Sequence, residues 1–203
     1  MIYTFSSKNR GSKFLDIEFL IENIKDDEIL VQLPAWRPGR YELANFAKNI
    51  QQFSVQTLNN KELFFEKITK DRWKIKTGKS KKIIIKYNYY ANELNAGSTW
   101  VDESQIYINP VNCCLFVVGR ENDPIKLFFN ETQHKQTATS LQKIGDHFVA
   151  ENFDELADSP LILSNSLQHK CYRVNDTKFT VWFQGECKPE WAKIIKDFKA
   201  FTK

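Results

Sequence analysis

Histidine, glycine, proline and methionine are all scarce in this chain of 203 residues, at three, seven, six and one. Glycine and proline this sparse, with no repeat between them, exclude collagen-like and low-complexity chains. His134, His147 and His169 are isolated, so the H-E-x-x-H zinc motif is absent. No glycine pattern forms a P-loop or a dinucleotide fingerprint, and no G-x-S-x-G elbow occurs. Scattered Asp and Glu can pair in three dimensions, but their spacing fixes no pair. A self-contained active site is not expected, and no catalytic residue is assigned.

Cysteine is also sparse. Cys113 and Cys114 are adjacent and, on a strand, would point to opposite faces, while Cys171 and Cys187 lie far downstream. There is no C-x-x-C and no regular disulfide framework. A zinc site from His169, Cys171 and Cys187 fits no common ligand spacing, so reduced structural cysteines are expected and no metal residue is assigned. No apolar run reaches the length of a membrane span, and MIYTFSSKNRGSKF lacks the apolar stretch of a signal peptide. The chain therefore reads as cytoplasmic, without a membrane partner. An excess of one charge is lacking too: 29 basic and 25 acidic residues leave +4, with both signs interspersed. Lys79, Lys81, Lys82 and Lys86 crowd one β-prone run, but basic and aromatic residues do not interleave as in single-strand stacking platforms. Edge protection of a strand is the expected role of these lysines, and nucleic acid is not an expected partner.

Aromatic residues are plentiful: sixteen Phe, seven Tyr and five Trp. The length fits one large domain, or at most two small ones, and is ample to bury a core. Leu15, Ile17, Phe19 and Ile21 alternate with mostly polar neighbours, the two-residue period of a strand. Further strands are expected at Glu28–Leu33, Phe53–Leu58, Leu63–Ile68, around Trp73 and Ile75, and at Lys81–Ala91. The list continues with Ile106–Pro110, Cys113–Val118, Pro124–Phe129, about Leu167–Val174, and Lys178–Gln184. Asn59 and Asn60 suit a tight hairpin between Phe53–Leu58 and Leu63–Ile68. NFDELADSP, at Asn152–Pro160, reads as a short helical turn whose acids are solvated rather than calcium ligands. Trp191, Ile194, Ile195, Phe198 and Phe201 share one face of an amphipathic helix, with Pro189 in its first turn. The fold class is mainly β: an antiparallel sandwich or saddle-like sheets, with a short helical turn and a C-terminal amphipathic helix. That last helix has no C-cap glycine or following breaker, which leads us to expect a longer parent polypeptide.

The chain is organised around LPAWRPGRYELANFAKNI, residues Leu33–Ile50. Pro34 and Pro38 each fix φ and remove a backbone donor, so Leu33–Gly39 forms a stiff corner rather than a helix or an interior strand. Trp36, Pro38, Gly39 and Tyr41 are its structural residues, and near-helical spacing to Phe46 and Ile50 suggests a turn of helix after it. A Trp on such a corner either plugs one end of a sandwich or meets a ligand. The plug is the expected role.

This stretch resembles the P-x-W-x-P-G-x-Y corner of the glycyl aminopeptidase-type zinc metallopeptidases, metallopeptidase family sixty-one. Further blocks match in order: DRW at Asp71–Trp73, YYANELNAGSTWVDE at Tyr89–Glu103, YINPVN at Tyr107–Asn112 and FDELADSP at Phe153–Pro160. Together they span nearly the whole chain. The resemblance implies a β-rich front domain, here residues 1–186, with 187–203 starting a helix toward a thermolysin-like catalytic domain. In the family that later domain carries H-E-x-x-H and a downstream Glu as zinc ligands, and a PDZ-like module often follows. None of those positions exists here, so no cofactor is expected in this chain and zinc is expected in the catalytic domain. The implied role is non-catalytic packing on the chain's own catalytic domain, shaping the cleft and meeting peptide substrate indirectly. By analogy with related aminopeptidases, Glu103, Gln105, Tyr107 and Asn109 are the cleft-facing candidates. The competing class is an independent β-sandwich module that stacks carbohydrate or peptide on exposed Trp36, Tyr41 and Trp100.

Overall fold

The computed structural model describes residues 1–40, 42–130 and 136–202. Strand β1 (Ile2–Ser6) buries Tyr3 and Phe5, and a 3-10 turn returns the chain as β2 (Phe14–Ile21), with Leu15, Ile17, Phe19 and Ile21 inward. β3 (Glu28–Gln32) enters the proline corner, which a 3-10 turn at Phe46–Asn49 leaves. β4 (Ile50–Thr57), β5 (Phe65–Thr69), β6 (Arg72–Lys76) and β7 (Ile83–Tyr90) follow. Then come β8 (Trp100–Val101), β9 (Gln105–Ile108), α1 (Pro110–Cys113), β10 (Phe116–Val117) and β11 (Ile125–Phe129). β12 (Gln136–Ala138), β13 (Gln142–Ile144), β14 (His147–Ala150), α2 (Phe153–Ala157) and β15 (Leu161–Ser164) complete the body. β16 (Leu167–Val174), β17 (Thr177–Gln184) and α3 (Trp191–Phe201) end the chain. Among the described residues no helix is long and apolar enough to cross a membrane.

The strands form a seven-stranded sheet (β13-β14-β11-β1-β2-β7-β4), two four-stranded sheets (β10-β3-β6-β5 and β12-β15-β9-β8) and the β16–β17 hairpin. Pairing is antiparallel except where β1 runs parallel to β11. The large sheet and the β3-containing sheet face each other. Phe53 of β4 stacks on Trp73 of β6 at 4.8 Å, and Tyr3 stacks on Phe19 at 4.3 Å within the large sheet. Fully burying a side chain of this size is worth about 1.5–3 kcal/mol, so period-two alternation alone commits each strand's inner face.

The mainly β architecture with a C-terminal helix agrees with the sequence reading. Four local readings are corrected. Asn60 does adopt positive φ (59°) in a turn, but β4 pairs with β7 and β5 with β6, so the turn passes the chain between sheets. Only the Gln56–Glu62 bridge and adjacent bonds remain of the expected hairpin. β7 is an interior strand flanked by β2 and β4, so Lys86 does not guard an edge; it pairs with Glu18 across the sheet at 3.2 Å. Cys113 ends α1 and Cys114 caps it, because the helical turn that Pro110 starts runs to Cys113, where a strand was expected to begin; both cysteines are buried. Cys171 and Cys187 are exposed free thiols, not core residues.

Candidate functional site

Leu33 anchors the corner. It is fully buried, and its N–H donates to the Asp71 carbonyl at 2.8 Å. Pro38 and Gly39 then occupy the middle of a tight turn in which the Arg40 N–H donates to the Arg37 carbonyl at 3.3 Å. Gly39 has φ +83°, so proline followed by glycine makes the type II arrangement that a side chain at 39 would strain. The Ala44 N–H closes the corner on the Ala35 carbonyl at 2.9 Å. Trp36 is 50% exposed, which overturns its expected role as a sandwich plug: the turn aims it outward, and Leu33 fills the core instead. Tyr41 lies outside the described residues, as does His134.

The facing wall is the loop before β8, tied down by the end of β9 and by α1. The Tyr107 hydroxyl donates to the Ala96 carbonyl at 3.2 Å, and Asn109 Nδ2 reaches the same oxygen at 3.5 Å. Asn112 Nδ2 donates to the Gly97 carbonyl at 2.9 Å, and the Gly97 N–H donates to Asn95 Oδ1 at 2.8 Å. Thr99 Oγ1 accepts the Asn109 N–H at 3.2 Å. Burial pushes the Tyr107 hydroxyl up from its usual pKa, opposed by the positive charge of Arg37.

Corner and loop meet at Arg37. A Cβ built on Gly97 would lie 2.1 Å from Arg37 Cζ, so the guanidinium occupies space that only glycine leaves free. Arg37 also lines two cavities. The larger, about 1180 Å³, runs between the corner and α2, with Trp36, Pro38, Asn109, Phe116, Asp154 and Asp158 among its walls. The smaller, about 610 Å³, includes Arg40, Glu42, Tyr89, Glu93 and Asn112. Asn112 is 1% exposed, and its Oδ1 has no hydrogen-bond partner.

The structure separates the four cleft candidates. Tyr107 and Asn109 converge on Ala96, and Asn109 lines the larger cavity. Gln105 is buried and Glu103 exposed near the other end of β9, with Gln105 about 13 Å of strand from Asn109. The Gln105 N–H donates to Asp102 Oδ1 at 2.9 Å, and the Glu103 carbonyl accepts from Arg10 at 3.4 Å. Arg37, Gly97 and Asn112 were not among the site candidates. A glycine inside a polar loop was the available signal, but nothing local linked it to a residue sixty positions earlier. Among the described residues no three His, Cys, Asp or Glu side chains are placed to hold a metal ion.

Three sheets, a β-hairpin and few helices define the class: a mainly β domain. The chain belongs to the family described as Peptidase M61 N-terminal domain, whose model matches residues 2–165. It is similar to the solved structure of an aminopeptidase N family protein from Idiomarina loihiensis, with a TM-score of 0.88 at 25% identity. That match covers 98% of this chain and 35% of the other, so the chain spans about a third of that protein's length. Leukotriene A4 hydrolase from Saccharomyces cerevisiae matches at a TM-score of 0.43 and 9% identity, covering 89% of this chain and 30% of that one. No curated protein matches the sequence.

Proposed function

We propose that this domain is the non-catalytic front piece of a zinc-dependent aminopeptidase, packed on a downstream catalytic domain and walling its substrate cleft. The observation that supports the reading best is the meeting of Tyr107 and Asn109 on Ala96 beside the larger cavity, in a chain of the M61 N-terminal family. Polar side chains fixed by a rigid strand end can orient a peptide without reacting with it. Among the described residues no ligand cluster for a zinc ion converges. In this reading the metal and the hydrolytic step belong to the downstream domain, and peptide is met indirectly.

The independent-module reading has one observation in its favour, the half-exposed Trp36. Trp100 does not extend it into a stacking row: Lys13 Nζ sits 4.2 Å from its ring centroid, and its Nε1 donates to Asp102 at 2.8 Å.

The test is aminopeptidase activity on glycyl and alanyl chromogenic substrates, with zinc analysis, for this chain and for a longer polypeptide carrying it. The expected result is an inert, zinc-free chain beside an active, zinc-containing longer protein. In the latter, Asn109→Ala should lower kcat/KM about 10-fold, mainly through KM, while Glu103→Ala leaves it unchanged. Unchanged kcat/KM in both Asn109→Ala and Tyr107→Phe would end the cleft role. Hydrolysis by the chain alone would end the non-catalytic reading and direct attention to His169, Cys171 and Cys187.

A further inference from the structure

Arg37 is half-buried, lines both cavities, and makes no side-chain hydrogen bond or ion pair among the described residues. A guanidinium offers five N–H donors in a rigid fork, and this one has no protein acceptor among the described residues to give up before an anion binds. Its position is nonetheless defined, because it lies against Gly97 where any Cβ would collide with it. Gly97 is itself held at both polar atoms, by Asn95 and Asn112, and the preceding carbonyl is held by Tyr107 and Asn109. The donor fork is thus placed before any ligand binds, which reduces the ordering cost of binding.

The opposite wall of the larger cavity constrains the anion. Glu121, Asp154, Glu155 and Asp158 line that cavity, so a polyphosphate or nucleic acid would meet four carboxylates. A ligand with a single carboxylate escapes most of that repulsion, and guanidinium binds carboxylate in a matched two-point geometry. Trp36, Pro38 and Phe116 supply apolar flanks, and about 1180 Å³ accommodates a few amino-acid residues. We infer that Arg37 binds the C-terminal carboxylate of a short peptide in the larger cavity. The ligand class is therefore short peptides with a free C-terminus. The choice of peptide rests on the aminopeptidase reading above, whereas the carboxylate contact rests on the Arg37–Gly97 geometry.

The experiment is a titration of the isotopically labelled 203-residue chain with triglycine, triglycinamide, N-acetyl-triglycine and N-acetyl-Gly-Glu-Gly amide, followed by NMR up to about 20 mM peptide. Triglycine and N-acetyl-triglycine should shift the Arg37 Nε–H and Gly97 amide signals to saturation, and triglycinamide should not. The glutamyl peptide, whose only carboxylate is a side chain, should bind about 5-fold more weakly than N-acetyl-triglycine. Arg37→Ala should abolish the response. Arg37→Lys should weaken it about 5-fold, and Gly97→Ala, which keeps the cation but removes its place, should do the same. Amide dispersion reports folding of each variant; if Arg37→Ala does not fold, the other two carry the test.

Equal response to triglycinamide, an unaltered response in the folded variants, or silence with all four peptides would overturn the proposal. Equal affinity for the glutamyl peptide would reassign the carboxylate to an acidic side chain and overturn the C-terminal assignment. N-acetyl-triglycine has no free amine for an aminopeptidase to act on, so its binding through Arg37 survives failure of the aminopeptidase reading. An active longer polypeptide with a silent Arg37 would leave that reading intact and remove this one.

Discussion

Asp102 shows how single residues hold the β8–β9 turn. Its carboxylate accepts the Trp100 indole N–H at 2.8 Å, the Ser104 N–H at 2.8 Å and hydroxyl at 2.7 Å, and the Gln105 N–H at 2.9 Å. Burial pushes its pKa up, but the hydrogen bonds from Ser104, Trp100 and Gln105 outweigh this and hold it below the usual carboxylate value. A depressed folded-state pKa means that the unfolded chain takes up the proton first. The contribution is therefore present above the unfolded value of about 3.9 and is lost as pH falls through the lower folded value. Asp102→Ala should cost about 1–2 kcal/mol in urea unfolding at pH 7, because two backbone N–H groups and an indole lose their acceptor. Asp102→Asn should flatten the wild-type loss of stability below about pH 4; an unchanged acid limb would show that other carboxylates dominate it. The turn was legible in principle, since Asp-x-Ser favours a side chain folded back onto the backbone. The Arg37–Gly97 contact was not: each residue has an ordinary local context, and only the tertiary fold places a guanidinium where a Cβ would be.

Elements are joined by hydroxyls as well as by apolar packing. The Tyr3 hydroxyl of β1 donates to the Leu115 carbonyl, and that of Tyr87 in β7 donates to the Cys113 carbonyl at 2.6 Å. Both rings are buried, and desolvation pushes both phenols far above their usual pKa, so each remains a donor across the accessible pH range. Together they latch the α1–β10 segment to the seven-stranded sheet. Tyr87→Phe should cost about 1–3 kcal/mol by leaving a buried carbonyl without its donor. Thiol labelling adds a local readout. In the wild type Cys171 and Cys187 should react with a bulky disulfide reagent quickly, and Cys113 and Cys114 only on opening; Tyr87→Phe should speed the slow pair. Four fast thiols in the wild type would show that α1 is not latched. Strands such as β2 and β17 were legible because alternation is a local property. Their partners were not. β1 pairs in parallel with β11 across more than a hundred residues, and Asn59–Asn60 makes a turn without saying which sheet receives the chain. The α1 turn was missed because an apolar, cysteine-containing run after Pro110 satisfies strand and helix patterns equally.

At the scale of the whole molecule, the main core ends just before residue 165. Every member of the main buried cluster lies between Tyr3 and Leu163, and the family match also ends at residue 165. β16, β17 and α3 form their own small layer: Tyr172 stacks on Phe179 at 5.0 Å, and Phe183 meets Trp191 edge-on at 5.2 Å. No residue of α3 is buried, and Phe201 is 85% exposed, so its amphipathic face is only partly used. That helix was the easiest element to read from sequence, because its 3.6-residue period needs no distant partner, yet it adds least to the main core. A two-stranded hairpin with one helix is marginal on its own, so its stability must come from docking on the body. Hydrogen exchange should therefore be faster throughout 167–202 than in β1, β2 and β7, whose opening requires loss of the main cluster. A chain ending at residue 165 should still unfold cooperatively, with a midpoint lowered by about 2–4 °C, the shift expected for about 1 kcal/mol in a domain of this size. A fragment with no cooperative transition, or equal protection of β16 and β2 in the full chain, would instead make the C-terminal layer part of one folding unit with the sheets.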